Sequence, residues 1–198
     1  MKEKCVSKKC RKIIETAKQL FWKHGIRRVS IEEICKEAGV SKMTFYNYFS
    51  NKSAVAKSIF NELMEESVNQ FNEITTSNYP FPNKVSMLIE LKLNSTKNIS
   101  IEFIRDIYQS PTLGLMGYME AQQEKNLQLF VDFLKKAQKD GCIRRDVKIE
   151  FIMAYLNQTF DLFNNEPLLA HYDNPQELIM ELTNFMFYGL MPPNPSVS

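Results

Sequence analysis

The sequence predicts an all-α protein with a small N-terminal three-helix unit followed by a larger helical body. Glycine and proline are scarce, at six and eight in 198 residues, and most of them lie between long periodic segments. Within these segments apolar residues recur every three or four positions, which is the spacing of one helix face, and no convincing strand is seen. Hydrophobic residues make up 44 % of the chain, enough for a packed core.

The first helix is predicted to begin near Cys10 and to end at Gly25. Glycine after the last periodic residue is a typical helix stop, because it adopts the left-handed conformation without strain. The apolar residues of this segment share one helix face: Ile13, Ile14, Ala17, Leu20 and Phe21.

The second helix is predicted to be short and to begin after Ser30. Ser30 and Glu33 have the spacing of a capping box, in which the serine hydroxyl serves the amide of the third helical residue and the glutamate reaches back. The helix then covers about residues 31–38.

The third helix follows after a sharp turn at Gly39, and Ser41 caps it over about residues 42–49. Two short helices joined in this way make a helix-turn-helix. We expect Val40 and Phe45 to point inward and to hold the crossing angle. The side chains then left facing outward are Lys42, Met43, Thr44, Tyr46 and Asn47.

The N-terminal third of the chain is basic, although the net charge of the whole is only +2. Residues 1–60 contain 14 basic and 5 acidic residues, a formal charge of +9, and the remainder contains 11 and 18, a formal charge of −7. This asymmetry favours a polyanion-binding module attached to a body with another task. A helix that exposes polar side chains beside a basic surface fits the major groove of DNA.

The body is predicted to follow a fourth helix over about residues 52–73 and a proline-containing linker at 75–83. We place the domain boundary before this linker, with one domain at 1–55 and the other at 56–198. Further helices are expected near residues 84–96, 101–109, 116–139, 147–164 and 175–190.

About residues 10–60 resemble the DNA-binding domain of the TetR family of bacterial transcription regulators. The resemblance is carried by the segment IIETAKQLFWKHGIRRVSIEEICKEAGVSKMTFYNYFSNKSAVAKSIF, in particular by its parts AGVSK, TFYNYF and NKS. Two residues depart from the family pattern. Met43 stands where the family usually has a small residue, and Cys35 stands where alanine is commoner.

The resemblance implies a DNA-binding role for individual residues. It places Ser30 and Tyr46 on phosphates, Lys42, Met43 and Thr44 on bases, and Lys52 on a phosphate, with a basic arm at Lys8, Lys9, Arg11 and Lys12. The alternatives to a DNA-binding role are structural. Lys42 and Lys52 would be solvated surface residues, and Tyr46 would pack against the first helix. The full predicted set is Ser30, Ser41, Lys42, Met43, Thr44, Tyr46, Asn47 and Lys52.

The resemblance also implies a homodimer on a pseudo-palindromic operator and a small-molecule effector. The segments at about 148–163 and 175–190 are apolar nearly all round, as helices buried on more than one side are. They suit a four-helix dimer interface, and the alternative is one deep core in a monomer. The effector is expected to be apolar or aromatic. Its predicted wall is Phe103, Tyr108, Met116, Tyr118, Phe130, Phe133 and Tyr155.

The leading prediction is therefore a ligand-released transcriptional repressor. An activator, or an architectural, chromosome-organising protein of the same fold without a ligand switch, is the alternative. No nucleophile–base arrangement, phosphate loop or metal spacing indicates an enzyme or a cofactor. No signal peptide or membrane span is predicted, and the four cysteines are expected to be reduced thiols of a cytoplasmic protein. For Cys5 and Cys10 a metal or redox pair is the alternative.

Overall fold

The computed structural model describes residues 7–110 and 113–192, and all regular structure within these ranges is helical. In the described ranges no helix is long and apolar enough to cross a membrane. A turn of 3-10 helix, Thr159–Asn164, separates α8 from α9. The helices are α1 (Lys8–His24), α2 (Ile31–Ala38), α3 (Lys42–Tyr48), α4 (Lys52–Thr76), α5 (Phe81–Ser95), α6 (Ile101–Gln109), α7 (Met116–Lys139), α8 (Ile149–Gln158), α9 (Glu166–Leu169) and α10 (Pro175–Leu190).

The all-α prediction is confirmed, and most predicted helix bounds lie within a few residues of the observed ones. The predicted helix at 147–164 is wrong in its second half. The α-helix ends at Gln158, and the chain continues as a 3-10 helix. The predicted linker at 75–83 is shorter than expected, since α4 continues to Thr76 and α5 begins at Phe81.

The chain forms two compact units whose limits differ from the predicted boundary at residue 55. The first unit runs to Glu66 and takes in Asn98–Glu120, and the second consists of Ser67–Lys97 and the chain from Ala121 onward. The physical reason is α6. Its residues Phe103 and Ile107 are buried in the core that α1–α4 form, which no local sequence pattern reveals.

The core of the first unit is built from the apolar stripes of α1 and α4 and the inward residues of the helix-turn-helix. Phe21 and Phe45 are fully buried at its centre. Small residues lie where α2 crosses its neighbours, because Cys35 and Ala38 are both buried there. This core fixes the orientation of α3, since its middle residue is Phe45.

The core of the second unit is rich in aromatic rings. Phe71, Phe81 and Phe130 surround Phe133, with ring centroids 5.8, 5.7 and 6.5 Å from its own. Aromatic pairs at such distances add to the free energy gained from burying their area. In the same unit α10 packs against α5, and Gln176 donates its side-chain amide to the carbonyl of Leu93 (2.6 Å).

The expectation of four reduced thiols is wrong for Cys10, which is disulfide-bonded. Cys5 lies outside the described residues. Cys35 and Cys142 are free thiols. Burial raises the pKa of the Cys35 thiol, so this side chain is an unreactive part of the core.

Candidate nucleic-acid interface

The helix-turn-helix has the caps that its sequence predicts. The Oγ of Ser30 accepts a hydrogen bond from the Glu33 amide (3.0 Å), and the Ser30 amide donates to the Glu33 carboxylate (3.5 Å). Gly39 ends α2 in the left-handed conformation at φ 64°. The Oγ of Ser41 then accepts from the Thr44 amide (3.1 Å) and so caps α3.

Helix α3 divides its side chains between the core and solvent. Phe45 is fully buried, whereas Met43 is 77 % and Tyr46 is 54 % exposed. Tyr46 meets the Phe45 ring edge-on, at 5.6 Å between centroids, and leaves its own body in solvent. Lys42 and Asn47 are exposed as well, and Thr44 is half-buried. The outward set predicted from the sequence thus lies on the free side of this helix.

Lys42 is held by an ion pair with Glu32 of α2. The hydrogen bond with Lys42 keeps the pKa of the Glu32 carboxyl below its usual range, and the same bond raises the pKa of Lys42. Both groups are exposed, so the pair adds little to stability. The ion pair occupies one of the three donors of the Lys42 ammonium, and a base contact by this side chain stays a prediction.

Lys52 occupies the first position of α4, but its ammonium points at protein. It donates to the carbonyls of Ile26 (2.9 Å), Arg27 (2.9 Å) and Val29 (2.6 Å). Burial lowers the pKa of this ammonium, and the charge of Asp106 opposes that effect. A phosphate contact by Lys52 stays a prediction, and it requires these carbonyl bonds to open.

The predicted N-terminal arm forms the first turn of α1. Lys8, Lys9 and Lys12 are exposed. Arg11 pairs with Glu62 of α4 at 3.1 Å. These lysines add positive charge to the unit that carries α3.

Asp106 is a residue whose position the sequence did not predict. Its spacing on α6 fits a solvated face with Glu102, Arg105 and Gln109, yet Asp106 is only 8 % exposed. Its Oδ2 accepts a hydrogen bond from the Arg27 amide (2.7 Å). Glu102, one turn earlier, is exposed as expected. The partners of Asp106 are some 80 positions away, so no local signal indicated them.

The side chains predicted to line an effector pocket are divided between the two units, where they are described. Phe103 packs in the first core against Trp22 (4.3 Å between centroids), and Phe130 and Phe133 belong to the aromatic cluster of the second. Tyr118 donates to Asn61 of α4, and Tyr155 donates to the carbonyl of Leu182 (3.2 Å). Tyr108 and Met116 have side chains outside the described part. The wall residues stay a prediction.

The exposed side of α3 carries groups suited to binding DNA. In the described ranges no three His, Cys, Asp or Glu side chains are grouped so that they could hold a metal ion. A helix that presents a methionine, a tyrosine, an amide and an ammonium can contact thymine methyl groups, base edges and phosphates.

Residues 13–59 match the model of the family described as bacterial regulatory proteins, tetR family. The chain is 25 % identical over 204 residues to the uncharacterized HTH-type transcriptional regulator YdgC of Bacillus subtilis strain 168, covering 97 % of both chains. It is 21 % identical over 152 residues to the HTH-type transcriptional repressor KstR2 of Rhodococcus jostii strain RHA1, covering 74 % of each.

The fold is also similar to that of a solved regulator. The transcriptional regulator FadR of Bacillus subtilis, in complex with stearoyl-CoA, superposes with a TM-score of 0.69 at 20 % identity, over 91 % of this chain and 98 % of that one. The similarity therefore extends beyond the helix-turn-helix into the body.

Proposed function

Because the chain is a DNA-binding transcriptional regulator of the TetR family, we propose that it is a homodimeric repressor released from its operator by a small-molecule ligand. The observation that carries the DNA-binding part is α3, a capped helix with Met43 and Tyr46 exposed beside a basic head. The name of the R. jostii relative, a repressor, supports the sign of regulation.

Each head places α3 in a major groove. The residues that carry the contact are those predicted from the sequence, with Lys42, Met43 and Thr44 on bases and Ser30 and Tyr46 on phosphates. Two heads related by a two-fold axis read a pseudo-palindrome, and their half-sites lie about 34–36 Å apart or a multiple of that distance.

The dimer forms through α8 and α10. These helices leave Phe151, Phe185 and Tyr188 66 %, 71 % and 64 % exposed, and Tyr155 of α8 lies against Phe185 at 6.2 Å between ring centroids. Large aromatic side chains exposed together are characteristic of protein interfaces. A second copy of this chain covers them best, because a two-fold axis brings the same two helices of each copy together.

The effector is an apolar molecule with an anionic group. The phenylalanine and methionine content supports the apolar part. Lys92 supports the anionic part, since it shares the face of α5 that buries Val85 and Leu88 and has no carboxylate partner in the described ranges. The solved FadR structure contains stearoyl-CoA, a ligand with both features. Such a ligand releases the operator only if it binds the released state more tightly.

The test of the ligand switch is a gel-shift titration of the operator complex with stearoyl-CoA, octadecanoate and octadecanol. The proposal predicts release by one or both anions and no release by the neutral alcohol. The variant Lys92→Met should lose the response to the anions and still bind the operator. Release by the alcohol alone would contradict the anionic nature of the effector. It would not contradict the proposal that the protein is a repressor.

An architectural role for the same fold is separated from this proposal by the number of genomic sites. Few sites near promoters identify a regulator, and many dispersed sites identify a chromosome-organising protein. An activator differs in the sign of the expression change after deletion. Since the DNA target is chromosomal, we place the protein in the cytoplasm.

A further inference from the structure

The turn between α1 and α2 is held by charged groups from two other helices. The turn comprises residues 25–29 and leads directly into Ser30, the cap of α2. Ile26 and Val29 are fully buried and anchor it in the core, and Arg27 and Arg28 are exposed. Its backbone groups bond to side chains of α4 and α6.

Lys52 of α4 donates hydrogen bonds to three carbonyls of the turn. An ammonium has three donors, and here each has an acceptor: the carbonyls of Ile26, Arg27 and Val29, at 2.6–2.9 Å. Three carbonyl oxygens that converge on one point repel each other unless a cation lies between them. Replacing this ammonium would therefore leave the three carbonyls without their shared donor, and the last of them belongs to Val29, one residue before Ser30.

Asp106 of α6 holds the same turn from its amide side. Its Oδ2 accepts from the Arg27 amide at 2.7 Å. Gly25 lies against it so closely that a Cβ at this position would stand 2.8 Å from Oδ2 and 3.0 Å from the Cβ of Glu102. Around the turn, the Ser100 amide also donates to the carbonyl of Trp22 (3.0 Å), which ties the start of α6 to the end of α1.

We propose that Lys52 and Asp106 are positioning residues for DNA binding, which act by fixing the turn at residues 25–29 and with it the start of α2. The proposal rests on the DNA-binding function and assigns Lys52 a different task from the phosphate contact that the resemblance implies. Neither residue needs to touch DNA. Their effect on the operator complex passes through Ser30.

The decisive variant is Asp106→Ala, because a purely electrostatic effect and loss of the Arg27 anchor change operator affinity in opposite directions. Removing a carboxylate makes the protein more positive, so electrostatics alone strengthens DNA binding. Loss of the Arg27 anchor weakens it, and we expect operator affinity to fall on the order of tenfold. Asp106→Asn keeps an oxygen acceptor and should bind within about threefold of the native protein. The matched control is Glu102→Ala, which removes a charge one turn away and should not weaken binding.

Lys52→Met tests the positioning role of Lys52 through the salt dependence of operator binding. Loss of a phosphate contact lowers the slope of log K against log salt by about 1, whereas loss of a positioning residue weakens binding and leaves the slope unchanged. A slope reduced by about 1 in Lys52→Met, or unchanged or tighter binding by Asp106→Ala, would overturn the proposal.

Amide hydrogen exchange tests the anchoring without DNA. In Asp106→Ala and Lys52→Met, peptides that cover residues 25–33 should exchange faster, and peptides of α10 should not. Exchange at the native rate in both variants would overturn the proposal, and so would exchange that rises equally over the whole chain. If the native protein binds no specific DNA but the turn responds as expected, the proposed function fails and the anchoring stands.

Discussion

At the scale of the residue, the proposed DNA recognition depends on how α3 divides its side chains between the core and solvent. The sequence predicted this division, because Phe45 completes a core and its neighbours have polar ends that no core would satisfy. It did not predict the partners of charged groups. The Lys42–Glu32 pair joins two helices, and Asp106 reaches a turn 79 positions away. Such contacts depend on the assembled fold, so only the structure revealed them.

The first prediction at this scale concerns the exposed face of α3. Tyr46→Ala and Lys42→Ala should each abolish tight operator binding. We expect operator affinity to fall tenfold or more, since each base or phosphate contact contributes roughly 1–3 kcal/mol. Both side chains are exposed, so helicity and melting temperature should stay native. Gel shifts and circular dichroism measure the two effects.

The control for this prediction is Tyr79→Ala, which removes a tyrosine that is 57 % exposed and lies outside the helix-turn-helix. Its operator affinity should be native. Equal affinity of Tyr46→Ala, Lys42→Ala and the control would show that another surface recognises DNA.

At the scale of the element, the caps decided how well the sequence located the helices. Helices α2 and α10 were located to the residue, because Ser30 and Asn174 accept bonds from the amides three positions on. The end of α8 was missed. Its apolar pattern continues through the 3-10 turn, and periodicity alone does not separate the two helix types.

Helix α5 contains a lysine, Lys92, on the same side as its buried apolar residues. Lys92 follows Leu88 by four residues and Val85 by seven, so it shares their buried face. The residue as a whole is exposed, yet enough protein lies around its ammonium that burial lowers the pKa of this group. The unfolded chain therefore binds this proton more tightly than the folded one, and this group makes stability rise with pH as the pH approaches the lysine's ordinary pKa of 10.5.

We predict that Lys92→Met raises the melting temperature at pH 7, by roughly 2 °C or more, and removes that alkaline rise. Thermal melts at pH 7 and above measure both effects. The matched control is Lys135→Met, which replaces an exposed lysine of α7 in the same unit. A lower melting temperature for Lys92→Met than for the control would contradict the burial of its ammonium.

At the scale of the whole molecule, the fold class and the helix order were predictable and the division into units was not. Periodicity and glycine placement define helices one at a time, so no sequence pattern indicates that α6 packs in the N-terminal core. Phe103 and Ile107 make that join by packing with residues of α1 and α4. The effector wall was predicted from composition, which does not tell a pocket from a core.

The proposed dimer gives a prediction at this scale. Phe185→Lys should convert the dimer to a monomer, because it puts a charge into an aromatic patch that a second copy covers. Operator affinity should fall with it, since one head then reads only one half-site. Sedimentation equilibrium measures the mass. Leu127→Lys on α7, at a residue 39 % exposed, is the control and should remain dimeric. A monomeric native protein would refute the dimer.

Sequence-specific DNA binding by the basic head can be measured by a footprint on the DNA upstream of the gene itself. The purified protein is titrated at two salt concentrations against a scrambled competitor. We expect protection of a pseudo-palindrome, with affinity that falls steeply as salt rises, because several phosphates are contacted. Binding to the scrambled DNA as tight as to every genomic fragment tried, including those recovered by genome-wide mapping, would contradict it.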